Sequence, residues 1–291
     1  MDESTFTFTA ADGTEIHAYR WSPDGLAKAI VQIAHGMGEH AGRYRRLGEA
    51  LTDAGYVVYA NDHRGHGRTA GSPDRYGDLG RGGWGGLVGD LGALSEVARR
   101  EHPDLPLVIL GHSMGSFALQ QYLLEHGADL DAAVLSGTTA IDVVAPSIDA
   151  TKDVDLSTFN APFEPARTEF DWLSRDPDEV DKYLADPACG FGLNPAATAG
   201  MITELATTSD QQALAKIPSS LPIYIVSGDD DPLAGGGALV DLVGDRYREA
   251  GVLDVTVTRY PGARHEIFNE INRDEVTAEL IEWLDRVTER R

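Results

Sequence analysis

Apolar and polar positions follow two rhythms along this chain. Residues 5–9 (TFTFT) and 15–20 (EIHAYR) flank the turn Ala-Asp-Gly-Thr, and Thr and Phe alternate in the first with the two-residue period of a half-buried strand. Compact β-branched runs follow at 29–34 (AIVQIA), 56–60 (YVVYA), 107–110 (LVIL), 132–135 (AAVL), 222–226 (PIYIV) and 255–260 (VTVTRY). Between them the spacing turns helical. Residues 43–54 put Leu47, Ala50, Leu51 and Ala54 on one face, 86–100 do the same with Leu87, Leu91, Leu94 and Val97, and 114–125 carry Phe117, Tyr122 and Leu123 or Leu124. Residues 238–250 and 274–288 supply two more helical patterns. Near-continuously apolar strands alternating with helices predict an α/β protein: a mostly parallel sheet of about eight strands, covered on both faces, with an antiparallel hairpin at its start.

The rhythm stops between about 140 and 208, a stretch rich in Asp, Pro, Thr and aromatic residues. A structureless loop of that length does not belong inside a compact domain, so a helical insertion is expected there. The core is then residues 1–139 and 209–291, and the insertion 140–208. The glycine-rich GRGGWGG at 80–86 opens a helix without the preceding strand or the downstream acid of a dinucleotide site.

One short stretch carries chemistry. In LVILGHSMG a strand runs into Gly-x-Ser-x-Gly and a helix follows at once, the setting of a nucleophile elbow around Ser113. Gly111 and Gly115 suit a turn in which a side chain would collide with a neighbouring element. The rival reading, a serine that only caps a packed helix, fits the pattern less well. A serine hydroxyl needs a base, and in this architecture the acid and then the histidine follow the serine along the chain. Of nine histidines, seven precede Ser113. His126 ends the helix that Ser113 begins, about 20 Å away. His265, in GARHEIF after the last strand, is left as the base. The strand end PIYIVSGDDDPLA offers Asp229, Asp230 and Asp231; Asp231, before Pro232, is the expected acid and Asp229 the alternative. Two backbone N–H groups should receive the oxyanion: that of Met114, after the nucleophile, and that of Met37 in AIVQIAHGMGEH. His35 and His40 in that loop could suggest a metal pair, but no third ligand at metal spacing accompanies them. No metal and no cofactor is expected. The loop NDHRGHG reads as a tight turn tied by Asp62 and shaped by Gly65 and Gly67 rather than as a metal site.

Composition narrows the partners. Asp plus Glu number 47 against 24 Lys plus Arg, a formal charge of −23. Such a surface repels phosphate backbones and does nothing to recruit anionic lipid, so nucleic acid is excluded as a partner. The balance reflects genome composition or a salt-tolerant host rather than a site. The single cysteine, Cys189, allows no internal disulfide, which suits a reducing compartment. It reads as a small buried residue rather than a reactive thiol. MDESTFTFTA lacks the pattern of a secretion signal, and no apolar run approaches a membrane span. A cytoplasmic protein with no integral membrane segment is expected; nothing in the pattern bears on its oligomeric state.

Together, HGMGEH…RY, NDHRGHG, GHSMG, SGDDDP and GARHEIFNE resemble the monoacylglycerol lipase and lysophospholipase group of α/β-hydrolases, also called serine aminopeptidase-like hydrolases. The motifs stand in the family's order from about residue 29 to 270. The resemblance implies the α/β-hydrolase fold, Ser113, Asp231 and His265 as triad, Met37 and Met114 as oxyanion donors, and a helical cap at 140–208. DWLSRDPDEVDKYLADPACGF looks like the cap segment of bacterial members. Within the cap, Phe159, Phe163, Phe170, Trp172, Leu193 and Met201 are expected to line an apolar substrate pocket, although each could equally pack the cap onto the sheet. The expected function is cofactor-independent hydrolysis of carboxylic esters through an acyl-serine intermediate. Monoacylglycerol or a similar single-chain lipid ester is the first candidate substrate, lysophospholipid included. Small or xenobiotic esters, aminopeptidase activity, or a non-catalytic ligand-binding role are the alternatives.

Overall fold

All eight apolar or alternating runs become strands of one sheet in the computed structural model, which describes residues 1–289. They are β1 Asp2–Thr9, β2 Glu15–Ser22, β3 Ala29–Ala34, β4 Tyr56–Asn61, β5 Leu107–His112, β6 Ala132–Ser136, β7 Ile223–Gly228 and β8 Val255–Tyr260. Their spatial order is β1-β2-β4-β3-β5-β6-β7-β8. β2 pairs antiparallel with both β1 and β4, and the remaining pairs are parallel. β1 starts three residues before the TFTFT alternation because Asp2, Glu3 and Ser4 pair with Ser22, Trp21 and Arg20 through their backbones, which needs no apolar side chain at an edge.

The central strands β3, β4, β5 and β7 are buried along their whole length, as double coverage requires. Alternate residues feed two cores. Ile30, Ile109 and Ile225 meet α3 (Gly83–Glu101), α4 (Met114–His126) and α9 (Ala238–Glu249). Val31, Val108 and Val226 meet α1 (Arg45–Asp53) and α10 (Arg273–Thr288) on the other face. The buried polar exception in β3, Gln32, is satisfied: its Nε2 donates to Leu91 O at 2.9 Å and its Oε1 accepts from Ser95 Oγ at 2.8 Å.

After β4 the NDHRGHG loop leads into the short helix α2 (Gly67–Ala70). Asp62 ties this turn by accepting N–H groups of Ala41 and Arg68 at 2.9 and 2.7 Å, and Gly65 and Gly67 take positive φ. Between β6 and β7 the described chain forms no strand. It builds the short helices α5 (Ile141–Val144), α6 (Pro177–Ala185), α7 (Pro195–Leu205) and α8 (Gln211–Leu214), with 3-10 turns between. Asp176-Pro177 and Asn194-Pro195 start α6 and α7: each cap side chain accepts a backbone N–H of the first turn, and each proline fills the position whose N–H has no helical partner. Leu156, Phe170, Leu173 and Tyr183 of this segment join the same buried cluster as α3, α4 and α9.

Strand order changes direction at β3, with β4 on one side and β5 on the other. The loops leaving β3 and β5 therefore diverge and open a crevice at the carboxyl ends of the strands, the place where open α/β sheets hold ligands.

Candidate active site

Ser113 stands at that crevice. Its backbone, φ 50° and ψ −122°, makes it the one non-glycine residue with positive φ among the described residues. Such a conformation costs about 1–3 kcal/mol and persists only where the surroundings enforce it. Here the Ser113 N–H donates to Ser136 O at 2.9 Å, while its carbonyl accepts from Ser116 and Phe117 to start α4. A Cβ on Gly111 would lie 2.5 Å from Gly115 O, and one on Gly115 would run into the carbonyl oxygen of Ala34. Gly111 is thus the consequence of a helix pressed against the strand it leaves, and Gly115 of the same helix pressed against the end of β3.

His265 reaches the site from the loop after β8, and Asp231 from the loop after β7. His265 Nδ1 lies 2.9 Å from Asp231 Oδ2; against a carboxylate oxygen the ring nitrogen is the donor. The other carboxylate oxygen, Oδ1, accepts the Leu233 N–H at 2.9 Å. Both residues are 2% exposed. Burial favours the neutral ring, but the Asp231 carboxylate outweighs it and holds the His265 pKa above the ordinary 6.5. Asp229, the alternative acid, points elsewhere: it is half-exposed, with its carboxylate 3.7 Å from Arg259 Nε. Asp230 is exposed. The tight turn of the loop thus sets Asp231 against His265 and turns Asp229 toward Arg259.

Ser113, Met37, Met114 and His265 all border one cavity of about 760 Å³, mouth included. Its walls are mainly apolar and come from both the core and the β6–β7 segment. Phe159, Trp172 and Met201 line it as expected, and the Trp172 ring lies 4.9 Å from that of His265. Phe163, Phe170 and Leu193 do not. Phe163 lies under the Arg264 guanidinium at 4.3 Å, Phe170 packs on the Tyr183 ring at 5.1 Å, and Leu193 is fully buried in the core of the segment. Their apolar character serves packing rather than the pocket. In their place Ile141, Val144, Ile148, Val154 and Leu156 complete the wall. The apolar spacing at 141, 144 and 148 is helix-like and was the signal available for three of them.

Sequence reasoning also missed a buried network under the site. Arg43 donates to Glu39 at 2.7 Å and in a fork to both oxygens of Glu266 at 2.6 and 2.8 Å. Glu39 in turn accepts the Gly36 N–H at 2.7 Å and the Tyr44 hydroxyl at 2.8 Å. Burial works against the Arg43 charge, but the two carboxylates overcome it and raise its pKa further; Glu266 is lowered in return. One guanidinium therefore links the loop carrying Met37 to the residue after His265. From the other side, Gly38 O accepts the Tyr183 hydroxyl at 2.8 Å and the Gly190 N–H at 3.0 Å, so the β6–β7 segment holds the same loop.

Four other histidines of the region, His35, His63, His66 and His112, are buried. His35 uses both ring nitrogens on the backbone, Nδ1 toward Gly36 O at 2.7 Å and Nε2 accepting the His63 N–H at 2.9 Å. It has no nitrogen left for a metal. Burial pushes His63 and His66 down to about 3 and 4, and His112, whose ring lies 4.8 Å from His265, also to about 4.

Comparison with known proteins gives the family. Residues 25–272 match the family described as serine aminopeptidase, S33. The monoacylglycerol lipase of Mycolicibacterium smegmatis is 35% identical over 286 residues, covering 97% of this chain and 96% of that protein. The human monoglyceride lipase is 28% identical, over 96% of this chain and 89% of its own. Among solved structures, a thermostable carboxyl esterase from Bacillus coagulans, in complex with glycerol, superposes with a TM-score of 0.87 at 31% identity over 99% of both chains. With the eight-stranded sheet, the serine elbow and a family match spanning most of its length, this chain belongs to the serine aminopeptidase, S33, family of α/β-hydrolases.

Proposed function

We propose that the protein is a serine esterase that cleaves monoacylglycerol or similar single-chain lipid esters through an acyl-Ser113 intermediate. The observation that carries this reading is the Asp231–His265 hydrogen bond, with His265 and Ser113 both lining one mainly apolar cavity. Ser113 Oγ attacks the ester carbonyl as His265 Nε2 takes its proton. Asp231 holds the tautomer with the proton on Nδ1 and stabilises the imidazolium without being protonated itself. The backbone N–H groups of Met37 and Met114 receive the negative charge that develops on the carbonyl oxygen. His265 then protonates the leaving alcohol, and in the second half-reaction it activates the water that releases the acid. Apart from the substrate and that water, every group this scheme uses is a side chain or backbone amide of the chain.

Residues 140–208 act as a cap in this reading, supplying apolar wall for an acyl chain while the core supplies the reacting groups. Similarity to a mycobacterial monoacylglycerol lipase and the human monoglyceride lipase supports a monoglyceride-type substrate. No described helix is long and apolar enough to cross a membrane, and with a single free cysteine the chain suits the cytoplasm, where we place it.

A panel of esters, from short p-nitrophenyl esters to monoacylglycerols and lysophospholipids, tests the assignment on purified wild-type protein and Ser113→Ala. Hydrolysis with a preference for medium or long acyl chains is expected, together with loss of turnover and of fluorophosphonate labelling in the variant. A preference for short acyl chains would move the substrate class to small esters. Turnover retained by Ser113→Ala would end the serine-esterase reading.

A further inference from the structure

His40 closes the motif HGMGEH on the loop after β3, and Asp186 and Cys189 follow α6. His40 and Asp186 are 146 residues apart in the chain, yet His40 Nε2 lies 3.0 Å from Asp186 Oδ2. One ligand atom from each of His40, Asp186 and Cys189 lies within 4.8 Å of the other two. The chain builds this trio locally. Asp186 leaves α6 in extended conformation, its Oδ1 accepts the Ala188 N–H at 2.9 Å, and its carbonyl accepts the Cys189 N–H at 3.1 Å. That turn brings the Cys189 thiol back beside the Asp186 carboxylate. The site is not sealed, since the His40 and Asp186 side chains keep 19% and 33% exposure.

An imidazole, a carboxylate and a thiolate are ligands of zinc-class ions rather than of Mg²⁺ or Ca²⁺. Bonds of about 2.0–2.3 Å set tetrahedral ligand atoms roughly 3.5 Å apart, so the trio needs a contraction of little more than about 1 Å at its widest. The nearby Arg43 guanidinium is already paired with Glu39 and Glu266.

We propose that His40, Asp186 and Cys189 form a binding site for a zinc-class divalent cation, with water as the fourth ligand. The ion ties the segment after α6 to the loop that carries Met37. The ion binds the Cys189 thiolate, and the thiol proton is released to solvent. His40 has no partners at metal spacing along the chain; a distant segment supplies them instead.

Cys189 is the sole cysteine, which makes the test specific. The whole protein, reduced and free of oxygen, is titrated with Co²⁺ alone. A thiolate-to-cobalt charge-transfer absorption in the near ultraviolet is expected, saturating at equimolar metal and displaced by Zn²⁺. Cys189→Ser should abolish it, and His40→Gln and Asp186→Asn should each weaken Co²⁺ binding by at least about ten-fold. Zn²⁺ should raise the Tm of the wild type and leave that of Cys189→Ser in place. Absence of the band in the wild type overturns the proposal, as does a band whose affinity is the same in His40→Gln and Asp186→Asn, which marks a lone thiolate. These readouts need no turnover, so their failure leaves the esterase reading untouched.

Discussion

Replacing Asp231 by Asn keeps the size and burial of the side chain and changes only what it can offer His265. Asp231 Oδ1 accepts the Leu233 N–H, and Oδ2 faces His265 Nδ1, each at 2.9 Å. In the variant the Leu233 N–H claims the amide oxygen, so the NH₂ group faces the imidazole. A donor there makes Nδ1 the acceptor and moves the ring proton to Nε2, which can no longer take the proton of Ser113. Turning the amide over would set NH₂ against the Leu233 N–H, two buried donors face to face, at a cost of about 1–3 kcal/mol. Orientation alone therefore removes roughly ten- to a hundred-fold of the active arrangement, at about 1.4 kcal/mol per decade. Loss of the carboxylate charge against the developing imidazolium adds to this, and about 10³–10⁴ in kcat is expected overall. Initial rates on a p-nitrophenyl ester, with thermal melts to show an intact fold, measure it. A correctly folded variant that loses less than about ten-fold would refute the argument that the Leu233-anchored carboxylate sets the state of His265.

Three further outcomes follow from the same geometry. His265 must be neutral to act as base and its pKa is raised, so the acid limb of kcat/KM should have its midpoint above 6.5 and move down in Asp231→Asn; a wild-type midpoint at or below 6.5 contradicts this. By linkage, the His265–Asp231 pair stabilises the fold fully below the unfolded histidine pKa and loses that contribution as pH rises through the higher folded value. Arg43→Met leaves Glu39 and Glu266 buried without their cation, and urea unfolding should show a loss of about 3–5 kcal/mol; under about 1 kcal/mol would mean that the network is not a structural tie. Ser113→Gly relieves the positive φ and should raise stability by about 1 kcal/mol while abolishing turnover; an unchanged or lower Tm would show that the elbow stores no strain.

How much of this was legible in advance depends on the range over which each feature is determined. Long helices and the first two strands declare themselves because one face must be buried at a fixed period, and the doubly covered strands because they are apolar nearly throughout; all eight strands could be read in one of these two ways. The elbow was legible because strand, glycines and helix are neighbours in the chain. His265 could be picked because the direction of the sheet fixes the order in which the acid and the base arrive. The choice between Asp231 and Asp229 was not fully legible: two residues on one turn point in different directions, and only the contacts with Leu233 and Arg259 separate them. The β6–β7 segment was harder still. Its helices are short, and its apolar residues serve two surfaces, the core and the cavity, so Phe163, Phe170 and Leu193 carry the same sequence signature as Phe159, Trp172 and Met201. Arg43 stood in a recognised motif, yet its partners Glu39 and Glu266 are brought together only when the loops after β3 and β8 close on the same sheet edge. His40 shows the limit most plainly, since Asp186 comes to it across 146 residues. Periodicity, turn chemistry and chain order are properties of neighbouring residues or of direction along the chain, and the sequence by itself determined what depends on them: the sheet, the elbow and the histidine we propose as the base. Side-chain direction in tight turns and contacts between distant loops depend on packing that no local pattern encodes, and only the tertiary structure decided them.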